Sequence, residues 1–203
     1  MIFCLRTEIS QVGPLHSLHH KKSLLTCTTR SSTSQVNSRI HPCNFDCNNI
    51  SSWLRKHLLG ALGGSAADAQ HLAAEFSGRF YKDRKALPAE ALHCNTSYLT
   101  AVANDYSYDI VYARLIEGIG TTGDVLIGLS TSGNSKNIVR AFEVAQEIGI
   151  TTVGFTGVSG GLMKANSDYL FNVPSSDTPR IQEAHILIGH IICQLVEEKY
   201  FAN

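Results

Sequence analysis

The sequence predicts an α/β domain, a parallel sheet covered by helices on both faces. Three observations carry that expectation. From about residue 52 onward, short apolar runs alternate with longer stretches of helical period, the pattern of strands joined by crossover helices. Two of these runs end in small-residue turns, Gly63-Gly64-Ser65 and Ser130 to Ser135, that lead into helical text. At 203 residues the chain suits one domain with a full hydrophobic core.

The elements follow in order. Residues 52–57 read as the end of a helix, 58–62 as a short apolar strand and 65–76 as a helix. A weak strand covers 89–92, a helical turn begins over 99–102, and 110–118 is helical. Then come a strand at 125–129, a helix at 137–148 and a strand at 151–156. A short helical turn at 163–165, a strand at 169–173 and a long helix at 180–200 close the chain. Ligands of such sheets bind at the carboxyl ends of strands, where both small-residue turns are expected.

Composition narrows the function classes. Lys plus Arg and Asp plus Glu each number 17, so no global field favours nucleic acid or an anionic membrane. No apolar run approaches the ~20 residues of a membrane span. Neither nucleic acid nor membrane is expected as a partner. Six cysteines in this length do not make a disulfide scaffold. Cys94 and Cys193 lie in apolar text and read as buried thiols, which fits a reducing cytosol.

Residues 1–52 differ in character from the domain expected over 53–203. The first fifty are rich in Ser, Thr, His, Asn and Cys, carry only Glu8 and Asp46 as acids, and hold no sustained period. Three readings stay open: a disordered extension, an organelle transit peptide, or a stretch out of frame with the natural start. His41, Cys43 and Cys47 lack the second ligand pair that a zinc site needs.

Two segments carry the chemistry. After Gly63-Gly64-Ser65, the helix places His71 and Glu75 four residues apart on one face. Exposed N–H groups at the helix start suit an anionic or polyhydroxyl ligand, and the His–Glu pair suits a metal or acid–base work. The second segment runs from the buried strand into Ser130-Thr131-Ser132-Gly133-Asn134-Ser135 and then a helix. Strand, hydroxyl-rich turn, helix is a way to hold a phosphate. Without the Gly-Lys-Ser/Thr ending it is no Walker loop, and it suits a sugar monophosphate better than a nucleotide. The bland alternative is an N-cap cluster, but four hydroxyls in six residues exceed what capping needs. On the last helix, Gln182, Glu183, His185 and His190 read by themselves as satisfied core or surface groups. Gln182 and His190 stand about 80° apart round an ideal helix, so spacing does not reveal a shared site.

The stretches GGSAADAQHLAAEFSGRF, AVANDYSYD, DVLIGLSTSGNSKNI and VPSSDTPRIQEAHILIGH resemble the sugar isomerase (SIS) domain, and within it the phosphoheptose isomerase family. The likeness covers about residue 57 to the C-terminus. It implies a single SIS-type domain with the flavodoxin-like three-layer sandwich. It implies metal ligands at His71, Glu75, Gln182 and His190, holding one zinc ion per subunit. Glu75 is then the base and His190 the acid of an aldose–ketose isomerisation through a cis-enediol. Ser65, Arg79, Asn104, Asp105, Ser130, Thr131, Ser132, Ser135, Thr178 and Gln182 are implied substrate contacts. The implied substrate is the phosphorylated seven-carbon sugar sedoheptulose 7-phosphate, on the route to ADP-heptose for lipopolysaccharide. A cytoplasmic homotetramer follows from the same likeness. The alternatives are a non-catalytic phosphosugar-binding relative that associates with the bacterial replication initiator DnaA, or an impaired paralogue. This chain keeps Glu75, His190 and Gly-Gly-Ser, which that relative replaces. It departs from the family in two places. The long amphipathic N-terminal helices have no counterpart in residues 1–52. The family's Gly-Asn before Gly-Gly-Ser is here Ala61-Leu62, which is expected to set an apolar branch where a sugar hydroxyl belongs.

Overall fold

The computed structural model describes the strand at residues 26–29 and residues 56–201. The rest of the segment 1–52, with His41, Cys43 and Cys47, lies outside the described residues. So do residues 53–55, which with Ser52 carried most of the expected helix end. His57 does not continue a helix but opens a strand.

The elements are β1 (Thr26–Thr29), β2 (His57–Ala61), α1 (Gly64–Ser77), β3 (Ala89–Ala91), α2 (Thr96–Asp105), α3 (Val111–Ile119), β4 (Val125–Leu129), α4 (Lys136–Ile148), β5 (Thr151–Thr156), α5 (Met163–Asn166), β6 (Tyr169–Asn172) and α6 (Thr178–Tyr200). A 3-10 turn, Tyr108–Ile110, precedes α3. Strands lie in the order β1-β6-β5-β4-β2-β3. The five from β2 to β6 are all parallel, while β1 adds antiparallel to the β6 edge. Counted from β2, the parallel order is 2-1-3-4-5, the flavodoxin-like arrangement.

The central strands β2 and β4 are buried along their whole length, all five residues of each, because helices cover both faces. On one face Leu59, Ile127, Leu129 and Phe155 pack with Leu72 and Phe76 of α1 and Ile188 and Ile192 of α6. On the other, Leu58 and Leu126 pack with Tyr112 and Ile116 of α3 and Ile138 and Phe142 of α4. Each such side chain contributes about 1.5–3 kcal/mol by burial. Cys193 is buried as expected, but Cys94 is exposed. Cys94 lies on the turn after β3, where Leu92 alone points into the core.

Candidate active site

The topology reverses between β2 and β4, the place where open α/β sheets bind ligands. Ala61 and Leu129, the last residues of these strands, pair directly. The glycine turn and the hydroxyl turn therefore leave the sheet side by side.

α1 starts without a side-chain cap; the Gly63 carbonyl accepts the Ala66 N–H at 3.1 Å, and no cap side chain takes the N–H groups of Gly64 and Ser65. Ser65 is buried in that first turn. α4 begins at Ser135, whose side chain makes no capping bond to the helix. Its hydroxyl meets that of Ser130 at 2.8 Å instead. Ser132 Oγ accepts from the Asn134 N–H at 3.2 Å. The capping reading of this turn thus fails at Ser135. A second loop braces it: Leu162 N–H donates to Asn134 Oδ1 at 3.0 Å, and Gly157 N–H to the Thr131 carbonyl at 2.9 Å.

His71 Nε2 and Glu75 Oε1 stand 3.1 Å apart on α1. The His190 ring on α6 meets the His71 ring edge-on, with centroids 5.0 Å apart. One ligand atom from each of His71, Glu75 and His190 fits within 4.8 Å of the others, so the three could hold a metal ion. Burial lowers the pKa of His190, helped by His71 and opposed by Glu75 and Asp68. A neutral imidazole is the form that ligates metal. Gln182 reaches the start of α1: a Cβ on Gly64 would lie 3.0 Å from its Nε2. The His71–Glu75 pair sits two to three turns further along α1 than Gly64, so α1 spreads the site along its length rather than concentrating it at the glycine turn.

The remaining expected contacts are scattered. Arg79 is exposed on the loop after α1, and Thr178 is exposed at the first position of α6. Asn104 and Asp105 are exposed at the end of α2, the Asn104 amide donating to Asp105 Oδ1 at 3.0 Å. The nearby 3-10 turn approaches α4 through an Asp109–Lys136 ion pair at 3.4 Å. Leu62 does not stand in the glycine turn as an open apolar branch. It packs against the cluster formed by β2, α3 and α4.

Two features escaped the sequence reading. Asp68 lies one turn before His71. Burial raises its pKa, opposed by His71 and His190, which places it in the field of both imidazoles. The other is a buried pair, Arg84 Nε to Glu197 Oε1 at 2.7 Å. Burial pushes the Glu197 carboxyl up. The N–H groups of Lys82, Phe80 and Tyr81, with Arg84, outweigh that and hold its pKa below the usual carboxylate range. Helix α1 has no basic residue in its last turn, and both Arg79 and Arg84 follow it, so the sequence alone does not say which of them takes the helix end.

Fold and switch-point turns together define an SIS domain, and residues 54–157 match that family. The chain is 60% identical over 149 residues to a phosphoheptose isomerase of Clostridium acetobutylicum, covering 73% of this chain and 76% of that protein. The corresponding protein of Aneurinibacillus thermoaerophilus is 57% identical over 148 residues, covering 73% and 75%. Among solved structures, a phosphoheptose isomerase from Neisseria gonorrhoeae superposes with a TM-score of 0.66 at 38% identity, covering 76% of this chain and 88% of that one. One from Francisella tularensis gives 0.69 at 30% identity, covering 75% and 86%. The chain belongs to the phosphoheptose isomerase family of SIS-domain proteins. No described helix is long and apolar enough to cross a membrane.

Proposed function

We propose that this chain is a phosphoheptose isomerase, interconverting sedoheptulose 7-phosphate and D-glycero-D-manno-heptose 7-phosphate. Beyond the family relationship, the observation that carries the reading is the meeting of His71, Glu75 and His190 from two helices. A carboxylate beside two imidazoles suits proton transfer next to a carbonyl. Glu75 removes the proton from the carbon next to the carbonyl, an enediol forms, and the proton returns to the neighbouring carbon. His190 exchanges a proton with the sugar oxygens. Ser130, Thr131, Ser132 and Ser135 hold the phosphate. Ser65, Arg79, Asn104, Asp105, Thr178 and Gln182 contact the sugar.

His71, Glu75 and His190 would hold one divalent ion, and imidazole and carboxylate suit zinc; Gln182, whose amide lies beside Gly64 at the start of α1, is the fourth ligand that the family resemblance implies. When bound, zinc stabilises negative charge on the sugar oxygens. The product feeds ADP-heptose for lipopolysaccharide, and the working form is a cytoplasmic homotetramer.

The test pairs a variant with a metal experiment. Glu75→Gln should lower kcat by ~10²-fold or more and stop solvent deuterium from entering C1 or C2 of the sugar. Chelator should abolish turnover of the parent, and zinc should restore it. Near-normal turnover of Glu75→Gln, or full activity without metal, would overturn the respective assignment.

A further inference from the structure

Arg84 and Glu197 are each only 2% exposed, and neither belongs to the His71–Glu75–His190 group. Arg84 reaches back to the end of α1. Its Nη2 donates to the carbonyl of Glu75 at 2.8 Å and its Nη1 to that of Phe76 at 2.9 Å. Terminal helix carbonyls carry partial negative charge and lack intrahelical partners, so a guanidinium there acts as a cap supplied from outside the helix.

Glu197 lies on α6, seven residues beyond His190 and so close to the same face. Its carboxylate accepts the N–H groups of Phe80, Tyr81 and Lys82 at 2.9, 2.8 and 3.0 Å. That fixes the loop after α1 and sets the Phe80 ring 5.7 Å from the His190 ring, tilted by 32°. One pair thus holds the backbone of Glu75 and the aromatic neighbour of His190.

We propose that the Arg84–Glu197 pair positions the isomerisation site, holding Glu75 through its own carbonyl and His190 through Phe80. The inference rests on the reading of His71, Glu75 and His190 as the metal and proton-transfer site. Arg84 and Glu197 touch no reacting atom. An ion pair this deeply buried stabilises a fold little more than apolar residues of the same volume. Apolar residues cannot donate to the Glu75 carbonyl or collect three N–H groups.

Two variants of the full chain test it. Arg84→Lys keeps a cation opposite Glu197, but one ammonium cannot reproduce the guanidinium fork that spans the carboxylate and the carbonyls of Glu75, Phe76, Gly78 and Lys85. Phe80→Leu leaves the pair intact and removes only the ring beside His190. For each, zinc affinity of the metal-free protein is measured by competition with a chromogenic chelator, and kcat, KM and Tm are measured separately. Arg84→Lys should weaken zinc binding and lower kcat by about tenfold or more each, with KM within about threefold, the usual scale for residues behind metal ligands. Phe80→Leu should move the same two quantities by about threefold. Should Arg84→Lys fail to fold, Phe80→Leu decides alone. Parental zinc affinity and kcat with only a lowered Tm would overturn the proposal. Glu75→Gln separates the two layers. An inactive Glu75→Gln beside a normal Arg84→Lys removes only the positioning role. An active Glu75→Gln removes the site assignment itself.

Discussion

Gly189 on α6 receives Leu72 of α1 so closely that a Cβ at 189 would lie 2.5 Å from both Leu72 methyl carbons. The sequence neighbours of this contact are His71 and His190, whose rings meet edge-on. The packing contact thus sets the separation of the two imidazoles.

Gly189→Ala should therefore act against helix propensity. Alanine gains about 1 kcal/mol over glycine inside a helix. Overpacking against Leu72 costs about 1–3 kcal/mol. A net loss of about 1 kcal/mol is expected, with weaker zinc binding because α1 and α6 move apart. Adding Leu72→Val should recover part of both. Thermal melts and a chelator competition check this, and a Gly189→Ala chain with unchanged zinc affinity would show that the contact does not set the site.

The hydroxyl turn gives a second prediction. Gly133 has a φ of 68°, and a Cβ there would overlap the carbonyl of Gly160. Gly133→Ala should deform the turn and cut phosphosugar affinity at least about tenfold, as expected where both backbone strain and a clash arise. Ser132→Ala and Ser135→Ala should each cost about 1–2 kcal/mol in binding. Calorimetry with the phosphorylated and unphosphorylated sugar reads the effect. Equal losses for the two ligands would assign the turn to something other than phosphate.

How much of this was legible depended on range. The hydroxyl turn was readable because strand, turn and helix follow one another directly in the sequence. Most element edges lie within a residue or two of expectation, but the helical turn expected over 99–102 is the ten-residue helix Thr96–Asp105. Thr178 and Pro179 belong to α6 although its apolar period begins later, and the 3-10 turn at Tyr108–Ile110 carries too few residues to show a period. β1 is four residues long and gains its place by pairing with β6, which no local pattern records. His190 reads by itself as one more histidine on an apolar helix, and it meets His71 where Leu72 packs against Gly189. Arg84 and Glu197 lie 113 residues apart, and no motif contains both. Arg79 is exposed on the loop after α1, while Arg84, five residues further on, holds the end of that helix.

Stability should fall with acid between pH 6.5 and about 4. Burial lowers the pKa of His57 to about 4, opposed by the Pro88 backbone and Asp124. Burial likewise lowers that of His185 to about 4, opposed by the Thr156 backbone. Below pH 6.5 the unfolded chain takes up these protons and the folded chain does not, so unfolding gains in favour as pH drops. The slope ends once pH passes the folded values near 4. Each histidine contributes up to about 3 kcal/mol across that window. His185→Leu, a replacement of similar size facing Phe155, should remove one histidine's share of the slope. Urea midpoints at pH 7, 6, 5 and 4.5 measure it, and a parallel pair of curves would rule out a neutral buried His185.

The last prediction concerns Leu62, which stands where the family carries asparagine. Ala61 before it is fully buried, and its carbonyl accepts the Tyr112 hydroxyl at 2.6 Å. That bond fixes the end of β2, while Leu62 turns its side chain onto the cluster that includes Tyr112. Leucine at this position therefore serves packing and leaves the residue before the glycine turn without a polar group. Leu62→Asn should exchange one for the other. Loss of a half-buried leucine costs about 1 kcal/mol of stability. A regained hydrogen bond to a sugar hydroxyl is worth about 1–3 kcal/mol where the hydroxyl was otherwise unpaired, so kcat/KM should rise roughly tenfold. Tyr112→Phe is the companion variant. It keeps Leu62 but leaves the Ala61 carbonyl unsatisfied, and should lower Tm and kcat/KM together by loosening the end of β2. A Leu62→Asn chain with lowered Tm and unchanged kcat/KM would show that the turn works without its asparagine, and that Leu62 was selected for the core alone.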